Sequence, residues 1–134
     1  MENETRLNMA HIKQALPKER KVSEYEIHTK FVAWIRKEHP AVKFIHPENE
    51  GRRNFRKATS SRNMGMKAGQ LDLYFLHSVN GFNGLAIELK VKPNRPSPDQ
   101  NQEILELKEM NWVAEVVYSL DEAKEKFRKY FQLT

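Results

Sequence analysis

The chain has 134 residues, a formal net charge of +5 and no cysteine. That length suits one domain burying roughly two-thirds of its unfolded surface, and the missing thiols exclude disulfides and thiolate metal sites. Any metal must therefore be held by oxygen or imidazole. A reducing cytoplasm is the expected location. No stretch approaches the ~18 apolar residues of a membrane span, and residues 1–10 lack the apolar run of a signal peptide, so no membrane partner is expected.

Residues 1–22 read as an N-terminal extension with a short helix near Met9–Leu16 ended by Pro17, and 23–134 as a single domain. Ser23 is suited to N-cap a helix running to His39, with Glu26 as capping-box partner. Ile27, Phe31, Trp34 and Ile35 recur on it at helical spacing. Pro40 ends it. Val42–His46 reads as a short strand, and a polar, basic loop follows from Pro47 to Gln70. Leu71–His77 and Leu85–Val91 are strands joined by the turn Val79–Gly84, and their nearly continuous apolar character predicts central positions covered on both faces. Ser97, Pro98 and Gln100 open the next helix as N-cap, first residue and box partner, and Asn111 ends it. Trp112–Tyr118 is a further strand. Ser119 caps a last helix, with Glu122 as box partner and Ala123, Phe127, Tyr130 and Phe131 as its buried stripe. The fold class is α/β: a central mixed sheet of about four strands flanked by helices.

Charge inside apolar strands is costly unless it is paired or bound to metal. Asp72 lies in one such strand, Glu88 and Lys90 in the next. Glu88 and Lys90 are two apart and share a face. A hairpin register pairing Leu76 with Gly84 sets Asp72 opposite Glu88, with Cβ atoms about 5 Å apart. Two carboxylates that close need a shared proton, a cation or a divalent metal. The other reading is a salt-bridged triad in which Lys90 neutralises Glu88. On the first helix, Glu24 shares the buried face with His28, Phe31 and Ile35, whereas Glu26 lies about 200° away. Gln100 precedes Ile104 and Leu107 on an inward face and also competes for the capping box. Between Gly51 and Gln70 the basic residues Arg52, Arg53, Arg56, Lys57, Arg62 and Lys67 occur without an acid. The segment is either a solvated loop or a contact for nucleic-acid phosphates.

Together these segments resemble the VRR-Nuc family of the PD-(D/E)xK nuclease superfamily, specifically its stand-alone, phage-type members, over about residues 23–131. Glu24 followed by His28 resembles a first motif of Glu and, four residues on, Gln, with His28 in the place of Gln. Pro47-Glu48-Asn49-Glu50-Gly51 resembles an Asn-Glu-Gly segment. Met64 to Asp72 resembles the glycine-flanked approach to a metal-binding Asp. Glu88-Leu89-Lys90 matches Glu-x-Lys, and Ser97-Pro98-Asp99-Gln100 matches Ser-x-x-Gln. One departure is Gly69-Gln70-Leu71-Asp72 where the family reads Gly-Val-Pro-Asp, which loosens the expected placement of Asp72.

The resemblance implies a restriction-endonuclease-like αβββαβ core and a metal-dependent DNA nuclease, with branched, junction or flap DNA as candidate substrates. It implies Mg²⁺ or Mn²⁺ held by Asp72, Glu88 and the backbone carbonyl of Leu89. Lys90 would position water and phosphate, Glu24 would hold a metal-bound water or a second ion, and Gln100 would orient Lys90 or the sugar–phosphate backbone. Arg52, Arg53, Arg56, Arg62 and Lys67, with Lys92 and Arg95 beyond the Glu88 strand, would contact DNA phosphates. Glu50 is a further candidate. A homodimer and a bacterial host cytoplasm accompany the phage-type resemblance. The competing class is a DNA-binding module on the same fold that does not cut; loss of a metal ligand would mark it.

Overall fold

Ser23 starts helix α1 (Glu24–Glu38) by accepting a hydrogen bond from the Glu26 amide at 3.1 Å. The computed structural model describes residues 20–47, 60 and 62–133. The expected helix near Met9–Leu16 therefore lies outside the described residues, as do Glu50, Arg52, Arg53, Arg56 and Lys57. Ile27, Phe31 and Ile35 form the buried stripe of α1, one helical turn apart, and Trp34 is half-buried at its margin. The Glu26 carboxylate does not complete the expected capping box: it pairs with Arg20 at 2.5 Å and Lys30 at 3.7 Å.

Among the described residues the remaining elements are β1 (Phe44–Ile45), β2 (Leu73–Phe75), β3 (Leu85–Leu89), α2 (Pro98–Glu109), β4 (Val113–Val117) and α3 (Leu120–Phe131). The sheet order is β1-β2-β3-β4, antiparallel from β1 to β3 and parallel between β3 and β4. β2 and β3 are buried throughout, as their apolar sequences predict for central strands. Side chains alternate between two layers. Leu73, Phe75, Leu85, Ile87 and Leu89 pack with α1 and α3, where Phe127 meets Phe31 and Phe75 edge to face. Tyr74, Ala86 and Ala114 face the other way, onto Ile104 and Leu107 of α2. Burying each of the three phenylalanines stabilises the fold by roughly 1.5–3 kcal/mol.

Three local features set the ends of these elements. The Asn80-Gly81 turn has positive φ at both residues (51° and 86°), the geometry that joins antiparallel strands in two residues. Gly84 precedes β3 because the Trp112 ring covers it; a Cβ there would lie 2.4 Å from the indole. The capping box of Ser97 and Gln100 is complete in both directions, and Asn111 takes the left-handed conformation (φ 61°) just past α2. Ser119 caps α3 through the Glu122 amide, while the Glu122 carboxylate accepts from the Tyr118 amide.

The central strands are shorter than their apolar runs. Before β2, the Leu71 amide donates to the Tyr74 hydroxyl at 3.0 Å and not to a neighbouring strand. After β3, the Val91 amide donates to Glu24 Oε1 at 3.3 Å. Side chains have taken over the backbone partners at both ends, and both substitutions occur beside the charged residues.

Candidate active site

The observed register pairs Leu73 with Ile87, Tyr74 with Ala86 and Phe75 with Leu85. One further step sets Asp72 opposite Glu88, as the hairpin arithmetic predicts. Glu88 is only 2% exposed, and Asp72, just before β2, is half-buried. The Leu89 amide donates to Asp72 Oδ2 at 2.8 Å, which holds that carboxylate against the neighbouring strand. Gln100 reaches from the first turn of α2 and donates its Nε2 to Glu88 Oε2 at 2.6 Å. The Oε1 of the same side chain accepts from the Ser97 amide at 3.0 Å. One residue thus serves both roles the sequence offered it. Its amide contact is with Glu88, and not with Lys90 as the family resemblance implied.

Burial pushes the Glu88 carboxyl up to about 10; the hydrogen bond with Asp72 and that residue's negative charge act in the same direction, Lys90 opposes them, and Glu24 adds to the rise. Lys90, half-buried, follows Glu88 by two residues at the end of β3. Glu24, in the first turn of α1, accepts at 3.3 Å from the Val91 amide and from the Asn94 side-chain amide. It therefore points to the end of β3, as the helix phase predicts. Gly69 allows this assembly to close. Its φ is +85°, and a Cβ there would lie 2.6 Å from the backbone of Asp99, so the approach to Asp72 runs directly against the start of α2.

The structure thus gathers Glu24, Asp72, Glu88, Leu89, Lys90 and Gln100 around one end of β3. Two adjacent carboxylates, one buried and reluctant to ionise without a partner, form an all-oxygen donor set suited to a hard divalent cation such as Mg²⁺ or Mn²⁺. Among the basic candidates, Lys67 is bound to Glu106 at 2.7 Å and Glu103 at 3.4 Å on α2. Lys92 lies 5.8 Å over the Tyr118 ring, and Arg62 and Arg95 are exposed.

Two residues not proposed as site residues from the sequence also stand here. His46, just after β1, has Nδ1 2.6 Å from the carbonyl oxygen of Asp72. Its ring meets His28 edge to face, with centroids 4.6 Å apart. Burial lowers the His28 imidazole below its ordinary value, with the Asp72 charge opposing and His46 reinforcing that shift. The available signals were the position of His28 one turn after Glu24 and that of His46 at a strand end.

No family model matches the chain, and no curated protein matches it. Among solved structures, a VRR_NUC domain protein is similar over 86% of this chain and 93% of its own, with a TM-score of 0.67 and 24% sequence identity. The chain has the fold of a VRR_NUC domain protein. The mixed four-stranded sheet with its flanking helices is therefore the restriction-endonuclease-like core that the resemblance implied. On this VRR_NUC fold the carboxylates meet at the end of the central β2–β3 pair. Among the described residues, no helix is long and apolar enough to cross a membrane.

Proposed function

We propose that this protein is a Mg²⁺- or Mn²⁺-dependent nuclease that hydrolyses phosphodiester bonds in DNA. The observation that carries the reading is the buried Glu88 carboxylate set opposite Asp72, with Lys90 two residues on, just past the end of β3. A similar fold in a protein named for a nuclease domain supports it. In this reading Asp72, Glu88 and the Leu89 carbonyl hold the cation. When bound, the cation lowers the pKa of a coordinated water and offsets charge building on the phosphate. Lys90, whose charge acts on Glu88, positions the attacking water and the scissile phosphate and stabilises developing negative charge. Gln100 fixes the Glu88 carboxylate in the orientation that faces Asp72. Glu24 holds a water at the edge of the site or contributes to a second ion.

DNA phosphates are met by Arg52, Arg53, Arg56, Arg62 and Lys67 before Asp72, and by Lys92 and Arg95 after β3. Such contacts position the substrate without reading its sequence. Glu50 belongs to the same reading as a further candidate acid. Two copies acting together would cut both strands of a branched junction. The experiment is a cleavage panel of labelled four-way junction, flap, duplex and single-stranded DNA with Mg²⁺ and with Mn²⁺. Cleavage of at least one branched substrate is expected. DNA binding without cleavage of any substrate, in either metal, would leave a binding module.

A further inference from the structure

His28, His46 and Asp72 come from three separate elements, α1, the segment after β1 and the start of β2, yet each offers a ligand atom within 4.8 Å of the other two. We propose that these three residues form a second metal site, one that takes a first-row transition divalent cation such as Zn²⁺ or Co²⁺, and that Asp72 is shared between it and the Asp72–Glu88 pair. The proposal goes beyond the nuclease reading and has only Asp72 in common with it.

The donor chemistry separates the two sites. Asp72 and Glu88 offer oxygen alone, which suits a hard ion. Two imidazoles and one carboxylate suit zinc, cobalt and their neighbours, and three protein ligands leave positions open for water or phosphate. A carbonyl oxygen only accepts hydrogen bonds. The short His46 Nδ1 contact with the Asp72 carbonyl therefore puts the ring proton on Nδ1 and leaves the Nε2 lone pair free. A ligating histidine is ordinarily held this way, with its second nitrogen donating to a backbone carbonyl. Imidazole nitrogens bind zinc at roughly 2.0–2.1 Å, so ligand atoms within 4.8 Å of one another come onto one ion by side-chain rotation, without movement of the backbone elements that carry them. Access is provided by a cleft of about 320 Å³ that reaches His28 and His46 between Val32, Arg36 and Phe44. Plain packing of two imidazoles accounts for the edge-to-face contact. It does not account for the approach of the Asp72 carboxylate to both rings or for the His46 contact that fixes its tautomer.

The test uses the full chain, ¹⁵N-labelled, titrated with Zn²⁺ alone in excess Mg²⁺, so that oxygen sites are filled by the hard ion. The ring nitrogens of His28 and His46 should shift together and saturate at one equivalent, while the His46 Nδ1 proton stays in place. Calorimetry under the same conditions should show that His28→Gln and His46→Gln each weaken Zn²⁺ binding beyond the roughly 10–100-fold that loss of an outer hydrogen-bond partner costs. Glu88→Gln should leave Zn²⁺ binding in place. Ring resonances of the unaltered protein that do not move with Zn²⁺ would overturn the proposal. So would Zn²⁺ affinity that falls with Glu88→Gln and is untouched by both histidine substitutions; that result leaves the Asp72–Glu88 metal reading standing. A zinc site that persists in a protein unable to bind Mg²⁺ or Mn²⁺ would support this proposal and remove the nuclease reading.

Discussion

Gln100 donates to Glu88 at 2.6 Å while the carbonyl of the same amide closes the cap of α2. The two roles can be separated. Gln100→Glu keeps a side chain able to complete the capping box but replaces the donor with a carboxylate facing Glu88. We expect it to fold and to lose about 10–100-fold in activity, the scale seen when a ligand loses its orienting partner. Gln100→Ala should lose the cap as well, costing about 1 kcal/mol of stability in addition. Rates and melting curves of the two variants side by side check this. A fully active Gln100→Glu protein would show that the contact with Glu88 has no functional role.

Without a cation and near neutral pH, Glu88 keeps its proton and Asp72 alone carries the charge of the pair. Asp72→Asn removes that charge, and its amide oxygen can still accept from the Leu89 N–H and from Glu88. In chelator we expect its stability to lie within about 1 kcal/mol of the unaltered protein, the scale of one altered hydrogen bond. Added Mg²⁺ should stabilise the unaltered protein alone, because an ion stabilises only the form that binds it. Melting with chelator and with Mg²⁺ is the measurement; equal shifts in both proteins would favour a salt-bridged triad.

Several of these relationships were legible in the sequence. The Asp72–Glu88 register followed from a short turn between two strands of period two, and the helix phase set Glu24 toward the sheet. Ser23, Ser97 and Ser119 marked helix starts because capping is local chemistry. Other features depended on partners distant in the chain. β2 stops short of its apolar run because the Tyr74 hydroxyl takes the Leu71 amide. The capping box expected of Glu26 lost its carboxylate to Arg20, a residue before the helix. Lys67 is paired with Glu103 and Glu106, on an element some forty residues later. His28 and His46 meet only because the two-residue β1 pairs with β2, and no spacing rule links them.

The pH dependence of stability has a definite sign. The folded Glu88 carboxyl titrates at about 10, far above its ordinary 4.5. Between those values the unfolded chain has released the proton and the folded chain retains it, so stability falls as pH rises. In chelator, Tm should therefore decline through the neutral and mildly alkaline range. Glu88→Gln, which has no proton to release, should lack that part of the slope, and Mg²⁺ should flatten it in the unaltered protein. An identical slope in Glu88→Gln would assign it to other groups.

Glu24 and Glu26 are two residues apart and should behave differently. The Glu24 carboxylate sits at the end of β3, and Glu24→Gln preserves an oxygen for the Val91 and Asn94 donors. We expect at least about a tenfold loss in turnover with little change in Tm. Glu26 makes ion pairs with exposed Arg20 and Lys30, and such pairs contribute little. Glu26→Gln should keep full activity with a small change in Tm. The reverse ranking would contradict the placement of Glu24 at the site.

The most direct test is single-turnover cleavage of the best substrate in the panel, in Mn²⁺, by the unaltered protein and by Asp72→Ala, Glu88→Ala and Lys90→Ala. Each substitution is expected to reduce the rate by about 100- to 1,000-fold or more, the scale of losing a group that stabilises the transition state. Circular dichroism should confirm retained folding, and a gel shift retained DNA binding. Wild-type turnover in any one of the three variants would contradict the assigned centre.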